Sequence, residues 1–219
     1  MAGINTILFD FDGTLMNTNS VIIESWQHTF KAMGMKEKPV EEIAKTLGEP
    51  LPLTMKNLFP DADIEKPLAI YRDFHRENFE GSITLFQGMG ELVRTLKEKG
   101  YKLGLVTSRM EWSTTLGLEK YKLKECFGAI VTADDTDKHK PDPEPVHIAL
   151  KKLGSKAEES ILIGDARFDV LCARNAGIKS VLVAWSIALS DEERAGEYAS
   201  DHVINTAEEV LQILDHYNA

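Results

Sequence analysis

The sequence has few cysteines and no long apolar run. Only two of its 219 residues are cysteine, Cys126 and Cys172, and neither has a Cys-x-x-Cys neighbour. This spacing favours buried free thiols in a reducing compartment over a disulfide framework or a zinc site. No apolar run approaches the roughly 18 residues that span a bilayer. We therefore expect a cytoplasmic protein that does not enter a membrane.

Basic residues are also scarce relative to acidic ones. Lys and Arg total 25 against 35 Asp and Glu, so the formal net charge is −10. Nucleic acids and anionic membranes bind cationic surfaces, and this balance argues against both as main partners. A small anionic substrate stays possible, because a single site can be locally positive. The chain is long enough to fold around its own core as a monomer or weak dimer.

Short apolar runs alternate with helical patterns along most of the chain. Alternating strands and helices predict an α/β fold, in which a doubly wound parallel sheet is covered by helices on both faces. Right-handed crossovers then bring the carboxyl ends of all strands to one edge, where ligands bind. The predicted strands cover residues 4–9, 102–106, 129–132, 161–163 and 180–184.

One segment breaks this alternation. Between residues 15 and 83 we find no strand pattern. Four helical patterns occur there: the first ends near Gly34, and the other three cover residues 40–47, 53–59 and 64–80. We expect an all-helical cap over 15–83 and a catalytic core made of 1–14 plus 84–219. Because the cap would enter directly after the first strand, it would lie over the ligand edge as a lid.

The most informative stretch follows the first strand. Asp10 and Asp12 would both point to the ligand edge, and Gly13 and Thr14 add backbone N–H groups suited to an anion. Paired carboxylates can divide the work of a nucleophile and of a general acid and base. Taken alone, however, an Asp-x-Asp pair equally fits two solvated side chains at a strand end.

Other strand ends carry matching chemistry. Thr107 and Ser108 follow the second predicted core strand, and Lys140 precedes a proline in the loop after the third. Asp165 and Asp169 stand four residues apart after the fourth, where they could share one cation. Each feature is ambiguous by itself. Their convergence on one sheet edge predicts a site for phosphate and a metal.

These motifs resemble those of the haloacid dehalogenase superfamily of phosphotransferases over nearly the whole chain. Residues 10–14 resemble the first motif, Thr107 the second, Lys140 the third, and Asp165 with Asp169 the fourth. A helical cap after the first motif also fits this family. Within it the chain is similar to phosphoglycolate phosphatases and, at residues 17–19 and 140–146, to a bacterial inorganic pyrophosphatase branch.

The resemblance implies a Mg²⁺-dependent phosphohydrolase that acts on a small phosphorylated metabolite, such as phosphoglycolate, or on inorganic pyrophosphate. Asp10 would attack phosphorus and form an aspartyl-phosphate, and Asp12 would serve as acid and then as base. The metal ligands would be Asp10, the main-chain carbonyl of Asp12, and Asp165. Asp169 would hold a metal-bound water or orient the catalytic Lys140.

The resemblance also implies how the phosphate is held. Its oxygens would bind Thr107, the Ser108 amide, Lys140 and the backbone of Gly13 and Thr14. A further substrate-binding candidate is Arg109, which could face the cap. Asp12 favours phosphoryl transfer over dehalogenation, because a halide leaving group needs no acid.

Two alternatives remain open from sequence. A sugar phosphomutase of the β-phosphoglucomutase type shares every core motif, so only the cap would distinguish it. A receiver-like phosphoacceptor needs neither Asp12 nor a lid and is disfavoured. The histidines, His75 among them, lack the spacing of a zinc site, and we expect no role for them in catalysis. Trp185 follows the fifth strand, and we expect it to lie outside the site.

Overall fold

The computed structural model describes residues 3–60 and 62–219. In this part of the chain, six parallel strands form the main sheet in the order β5-β4-β1-β6-β7-β8, and β2 pairs antiparallel with β3. The strands are β1 (Thr6–Phe9), β2 (Met16–Asn17), β3 (Thr84–Leu85), β4 (Lys102–Val106), β5 (Ala129–Val131), β6 (Ser160–Gly164), β7 (Lys179–Val183) and β8 (His202–Ile204).

Helices fill most of the remaining described chain, and they confirm the predicted α/β class. They are α1 (Asn19–Ala32), α2 (Val40–Ala44), α3 (Leu51–Leu58), α4 (Glu65–Ser82), α5 (Met89–Glu98), α6 (Glu111–Lys120), α7 (Glu144–Leu153), α8 (Arg167–Ala176), α9 (Asp191–Ala195) and α10 (Glu209–Asn218). Among the described residues, no helix combines the length and the apolar character needed to cross a membrane.

The sheet is buried on both faces. Successive side chains of a strand point to opposite faces, and Ile7 and Phe9 of β1 join one apolar cluster while Leu8 joins the other. Residues of α5 and α10 cover the first face, and residues of α7 and α8 cover the second. Cys172 is a buried free thiol in the second cluster, as predicted, whereas the free thiol Cys126 is only partly buried against the first cluster.

Helices α1 to α4 have an apolar cluster of their own. α1 packs against α4, and aromatic side chains dominate the contact. The buried members of this cluster are Trp26, Phe30, Ile43, Met55, Phe59, Leu68 and Tyr71. The four predicted helices are confirmed, with ends shifted by a few residues. The division into a core (1–14, 84–219) and a cap (15–83) stays a prediction, and its residues 1, 2 and 61 lie outside the described chain.

The expectation that residues 15–83 contain no strand is wrong at one point. Met16 and Asn17 form β2 and pair with Leu85 and Thr84 of β3. A strand of two residues is too short to show an alternating pattern, so the sequence gives no sign of it. This small antiparallel pair joins the two chain segments that lead into and out of the four helices.

Candidate active site

Asp10 emerges at the carboxyl edge of the sheet because β1 ends one residue earlier. Its backbone N–H donates to the carbonyl of Ile163 in β6 at 2.8 Å, which continues the parallel ladder, and the residue is buried. Gly13 then turns the chain with a φ of +72°, a conformation that glycine adopts without strain. A Cβ on Gly13 would overlap the Asp165 carboxylate, so the turn lies directly against that side chain.

Lys140 is a buried cation at the centre of the site. Its Nζ lies 2.6 Å from Oδ1 of Asp10, 2.6 Å from Oδ1 of Asp169 and 3.3 Å from the carbonyl of Val106. These contacts occupy all three ammonium donors. Burial lowers the pKa of Lys140, but the two carboxylates outweigh it and raise the pKa above its ordinary value. The ammonium is therefore charged at neutral pH.

Asp165 and Asp169 follow β6 and have different surroundings. Oδ2 of Asp169 accepts the backbone N–H groups of Asp165 and Ala166 at 3.2 and 3.0 Å, which caps the start of α8. With Lys140 on its other oxygen, Asp169 fixes both the turn and the lysine. Asp165 is anchored through its main-chain carbonyl, which accepts the Ser186 hydroxyl at 2.6 Å.

The carboxylates of Asp10, Asp165 and Asp169 meet in one buried cluster. One oxygen from each lies within 4.8 Å of the others. Burial, together with repulsion from neighbouring carboxylates, raises the pKa of Asp10 to about 7 and that of Asp165 well above its ordinary range. One lysine cannot balance three carboxylates. An all-oxygen donor set with excess negative charge fits a hard divalent cation such as Mg²⁺.

Asp12 is held apart from this cluster by an arginine. Nε and Nη2 of Arg109 donate to its carboxylate at 2.9 and 2.6 Å, and the Thr18 hydroxyl donates to Oδ1 at 2.6 Å. Burial raises the pKa of Asp12, but Arg109 and Thr18 outweigh it and lower the pKa below its ordinary value. Asp10 and Asp12 therefore have opposite pKa shifts, a common sign of divided roles.

His75 was missed by the sequence reasoning. It lies on α4, and its Nε2 is 3.0 Å from Nη1 of Arg109, which therefore faces the helical segment. Burial and the nearby guanidinium lower the pKa of His75 to about 3, so the imidazole is neutral. A signal did exist, because His75 is the polar member of the otherwise apolar face formed with Leu68, Tyr71 and Phe79.

The predicted substrate ligands, apart from Thr14, line one cavity of about 450 Å³. The hydroxyls of Ser108 and Thr14 are buried without a hydrogen-bond partner among the described residues. Ser108 lines the cavity, whereas Thr14, a predicted phosphate ligand, and Asp169 are absent from its described lining. The predicted site residues that do line it are Asp10, Asp12, Gly13, Thr107, Ser108, Arg109, Lys140 and Asp165.

Trp185 contacts the turn that Gly13 makes after β1. Its indole N–H donates to the carbonyl of Gly13 at 3.2 Å, and its ring packs near Phe86. The residue is absent from the described cavity lining. Trp185 therefore supports the position of the Gly13 turn rather than forming a wall of the cavity.

Comparison with known proteins agrees with this fold. Residues 7–183 match the family model of haloacid dehalogenase-like hydrolases. Pyrophosphatase PpaX of Halalkalibacterium halodurans is 36% identical over 211 residues, which cover 96% of this chain and 97% of that protein. Pyrophosphatase PpaX of Bacillus pumilus is 37% identical over 211 residues, with 96% of each chain covered.

Solved structures show the same similarity. A putative phosphoglycolate phosphatase of Lactobacillus plantarum superposes with a TM-score of 0.85 at 25% identity, covering 97% of this chain and 100% of that one. A haloacid dehalogenase-like hydrolase of Streptococcus pneumoniae gives 0.86 at 25% identity, with 97% and 99% covered. The chain belongs to the haloacid dehalogenase-like hydrolase family, and the prediction that it is an enzyme is confirmed.

Proposed function

We propose that this protein is a Mg²⁺-dependent phosphohydrolase that cleaves inorganic pyrophosphate through an aspartyl-phosphate on Asp10. The observation that carries the proposal is the shared cavity of Asp10 and Asp12, with Lys140 on the first carboxylate and Arg109 on the second. The choice of pyrophosphate is supported by the relatives named pyrophosphatase, which are 34–37% identical over almost the whole chain.

In the first step, a carboxylate oxygen of Asp10 attacks phosphorus while the bond to the bridging oxygen breaks. The products are an acyl-phosphate on Asp10 and free phosphate, whose departure Asp12 assists once it carries a proton. As Asp10 attacks, the Lys140 donor that contacts its carboxylate turns to the transferring group, and with the hydroxyl of Thr107 it holds that group where negative charge spreads over the equatorial oxygens. Asp169 keeps Lys140 aimed at this position through their 2.6 Å contact.

In the second step, water attacks the acyl-phosphate. Asp12 takes a proton from this water, which splits the acyl-phosphate into a second phosphate and free Asp10. The ionised state of Asp12 that Arg109 and Thr18 favour suits this base role. Asp10, Asp165 and the main-chain carbonyl of Asp12 would hold the Mg²⁺, which would supply positive charge at the phosphate oxygens.

We further propose that residues 15–83 act as a lid over a core of 1–14 plus 84–219. The support comes from the cavity wall, to which the helical segment contributes Trp26, Tyr71 and His75 opposite the strand-end residues. A closed lid would exclude water from the reacting phosphate. We also propose that the protein is cytoplasmic and that it is a monomer or a weak dimer.

A substrate panel tests the proposed function. Phosphate release is measured with pyrophosphate, phosphoglycolate and a hexose 1-phosphate, each with Mg²⁺ and with excess chelator. We expect the highest kcat/KM with pyrophosphate and no turnover after chelation. A higher kcat/KM with phosphoglycolate than with pyrophosphate would identify phosphoglycolate as the substrate. Isomerisation of the hexose 1-phosphate would indicate a mutase. Activity under chelation would overturn the metal assignment.

A further inference from the structure

We propose that Arg109, positioned by His75, binds the leaving phosphate group and makes the site selective for a diphosphate over a monoester. This inference rests on the proposed function and deepens it. It assigns His75 a positioning role and names the chemistry that Arg109 recognises, which is a second anionic phosphate next to the one transferred.

Arg109 is enclosed on several sides at the junction of two parts of the structure. It lies between β4 and α6, and its side chain is 8% exposed. The guanidinium stacks over the ring of Phe79 at 4.4 Å and lies 5.6 Å from the ring of Phe11. Its Nε and Nη2 edge faces Asp12, and Nη1 faces His75. These contacts hold one charged group in one orientation at the cavity wall.

The hydrogen bonds around His75 define its proton. The Ser25 hydroxyl donates to the carbonyl of Val21 at 2.5 Å, so its oxygen is left to accept from Nδ1 of His75 at 3.3 Å. Nδ1 therefore carries the hydrogen, and the lone pair of Nε2 accepts from Arg109. A neutral acceptor fixes the guanidinium without cancelling its charge, so that charge stays available to an anion.

The edge of Arg109 that contacts Asp12 is the edge that a phosphate would take. Two parallel N–H groups match two oxygens of a carboxylate or of a phosphate equally well. The leaving phosphate of pyrophosphate can therefore replace Asp12 on Nε and Nη2, while His75 retains Nη1. A monoester with an uncharged leaving group brings no anion to this edge. Selection against such monoesters thus arises from the second anionic group of the diphosphate.

When the leaving phosphate replaces Asp12 on Arg109, the Asp12 carboxylate also becomes free to move. As long as Arg109 grips its carboxylate, Asp12 cannot turn toward the bridging oxygen of the substrate. A diphosphate that takes over the guanidinium releases Asp12 in the same event. A substrate without the second phosphate leaves the pair intact, so binding and release of the acid are coupled through one arginine.

The test compares two substrates in the full-length protein with Mg²⁺, pyrophosphate and p-nitrophenyl phosphate. The measured quantity is the ratio of their kcat/KM values. In Arg109→Gln the ratio should fall about 10- to 100-fold, mainly through a higher KM for pyrophosphate, because a charge-assisted contact is worth roughly 1.5–3 kcal/mol. As a matched control, Arg94→Gln removes an arginine that is absent from the described cavity lining and donates to the carbonyls of Gly90 and Tyr121. Its ratio should change by less than about 2-fold.

Two variants test the role of His75. His75→Phe keeps the aromatic stack with Tyr71 and Phe79 but removes the acceptor, and the ratio should fall in the same direction as in Arg109→Gln. His75→Gln restores an acceptor oxygen and should recover most of the ratio. If His75→Phe and His75→Gln each lost activity toward pyrophosphate and toward p-nitrophenyl phosphate by the same factor, His75 would be only a structural side chain. That result would overturn its assigned role.

The outcomes separate this inference from the proposed function. A wild-type protein that does not release phosphate from pyrophosphate would refute both. A wild-type protein that hydrolyses pyrophosphate, with an unchanged ratio in Arg109→Gln, would refute the inference alone. Arg109→Gln decides the question even if His75→Phe does not fold, because a ratio of two kcat/KM values in one variant does not depend on how much of that variant is folded.

Discussion

At the scale of single residues, the site depends on Gly13 having no side chain. The positive φ of Gly13 makes the turn, and the missing Cβ lets Asp165 approach the loop. Its N–H donates to the carbonyl of Met16 at 2.9 Å, and its carbonyl accepts the Trp185 indole. The positions of two acidic side chains, Asp12 and Asp165, thus depend on one glycine.

Gly13→Ala should therefore abolish most activity, and Gly34→Ala is its matched control. Gly34 has a φ of +70°, but no described atom lies within 4 Å of an added Cβ. Both variants should lose about 1–2 kcal/mol of unfolding free energy from backbone strain, measured in urea. Only Gly13→Ala must displace Asp165, and misplacement by about 1 Å can cost on the order of 100-fold in rate. Equal pyrophosphatase rates in the two variants would contradict this account.

At the scale of elements, the strands and helices with strong apolar patterns were predictable. β1, β4 and β6 are buried apolar runs, and their ends place Asp10, Thr107 and Asp165 at one edge without any coordinates. β8 was not predicted, because it has three residues and its central Val203 is exposed. In α6 the buried face contains Ser113, Thr114 and Gly117, so no apolar period marks it.

The contacts between elements were the part that the sequence could not supply. Arg109 meets Asp12 across 97 residues and His75 across 34. Strand ends share an edge by a general rule, but no comparable rule says which face of α4 turns to the cavity. The sequence therefore marked His75 as the polar member of an apolar helix face, but its contact with Arg109 became visible only with α4 placed against the loop after β4.

At the scale of the whole molecule, the negative charge is concentrated where the chemistry needs a cation. The chain carries a net charge of −10, and three of its acids form the buried cluster around Lys140. Anionic substrate would be repelled by this cluster in the absence of a metal. In the proposed function, the acidity of the site would therefore recruit Mg²⁺, and the metal together with Lys140 and Arg109 would attract the phosphate.

Stabilisation by Mg²⁺ should depend on pH in a defined direction. Burial and neighbouring carboxylates raise the pKa of Asp10 to about 7 and also raise the pKa of Asp165, so above pH 4 the folded state binds more protons than the unfolded state, for Asp10 up to about pH 7. Their contribution to the stability of the metal-free protein then falls as pH rises through this window. Protons compete with Mg²⁺ for the same oxygens, so the metal should raise Tm more at pH 8 than at pH 5.5.

Thermal unfolding with and without Mg²⁺ measures this dependence, at a metal concentration about 100 times Kd, where roughly 2.7 kcal/mol is expected at high pH. Asp165→Asn serves as the control, because it removes one predicted ligand and should reduce the increase in Tm. An increase in Tm that is equal at both pH values would contradict the assignment of Asp10 and Asp165 as metal ligands.

The most direct test of the central claim is the rate of phosphate release from pyrophosphate, with Mg²⁺, in the wild-type protein and in Asp10→Asn. The amide keeps the shape of Asp10 but is a far weaker nucleophile. We predict that the wild-type protein turns over and that Asp10→Asn falls by about 1,000-fold or more. Near-full activity in Asp10→Asn would contradict an aspartyl-phosphate on Asp10, and with it the account of the site.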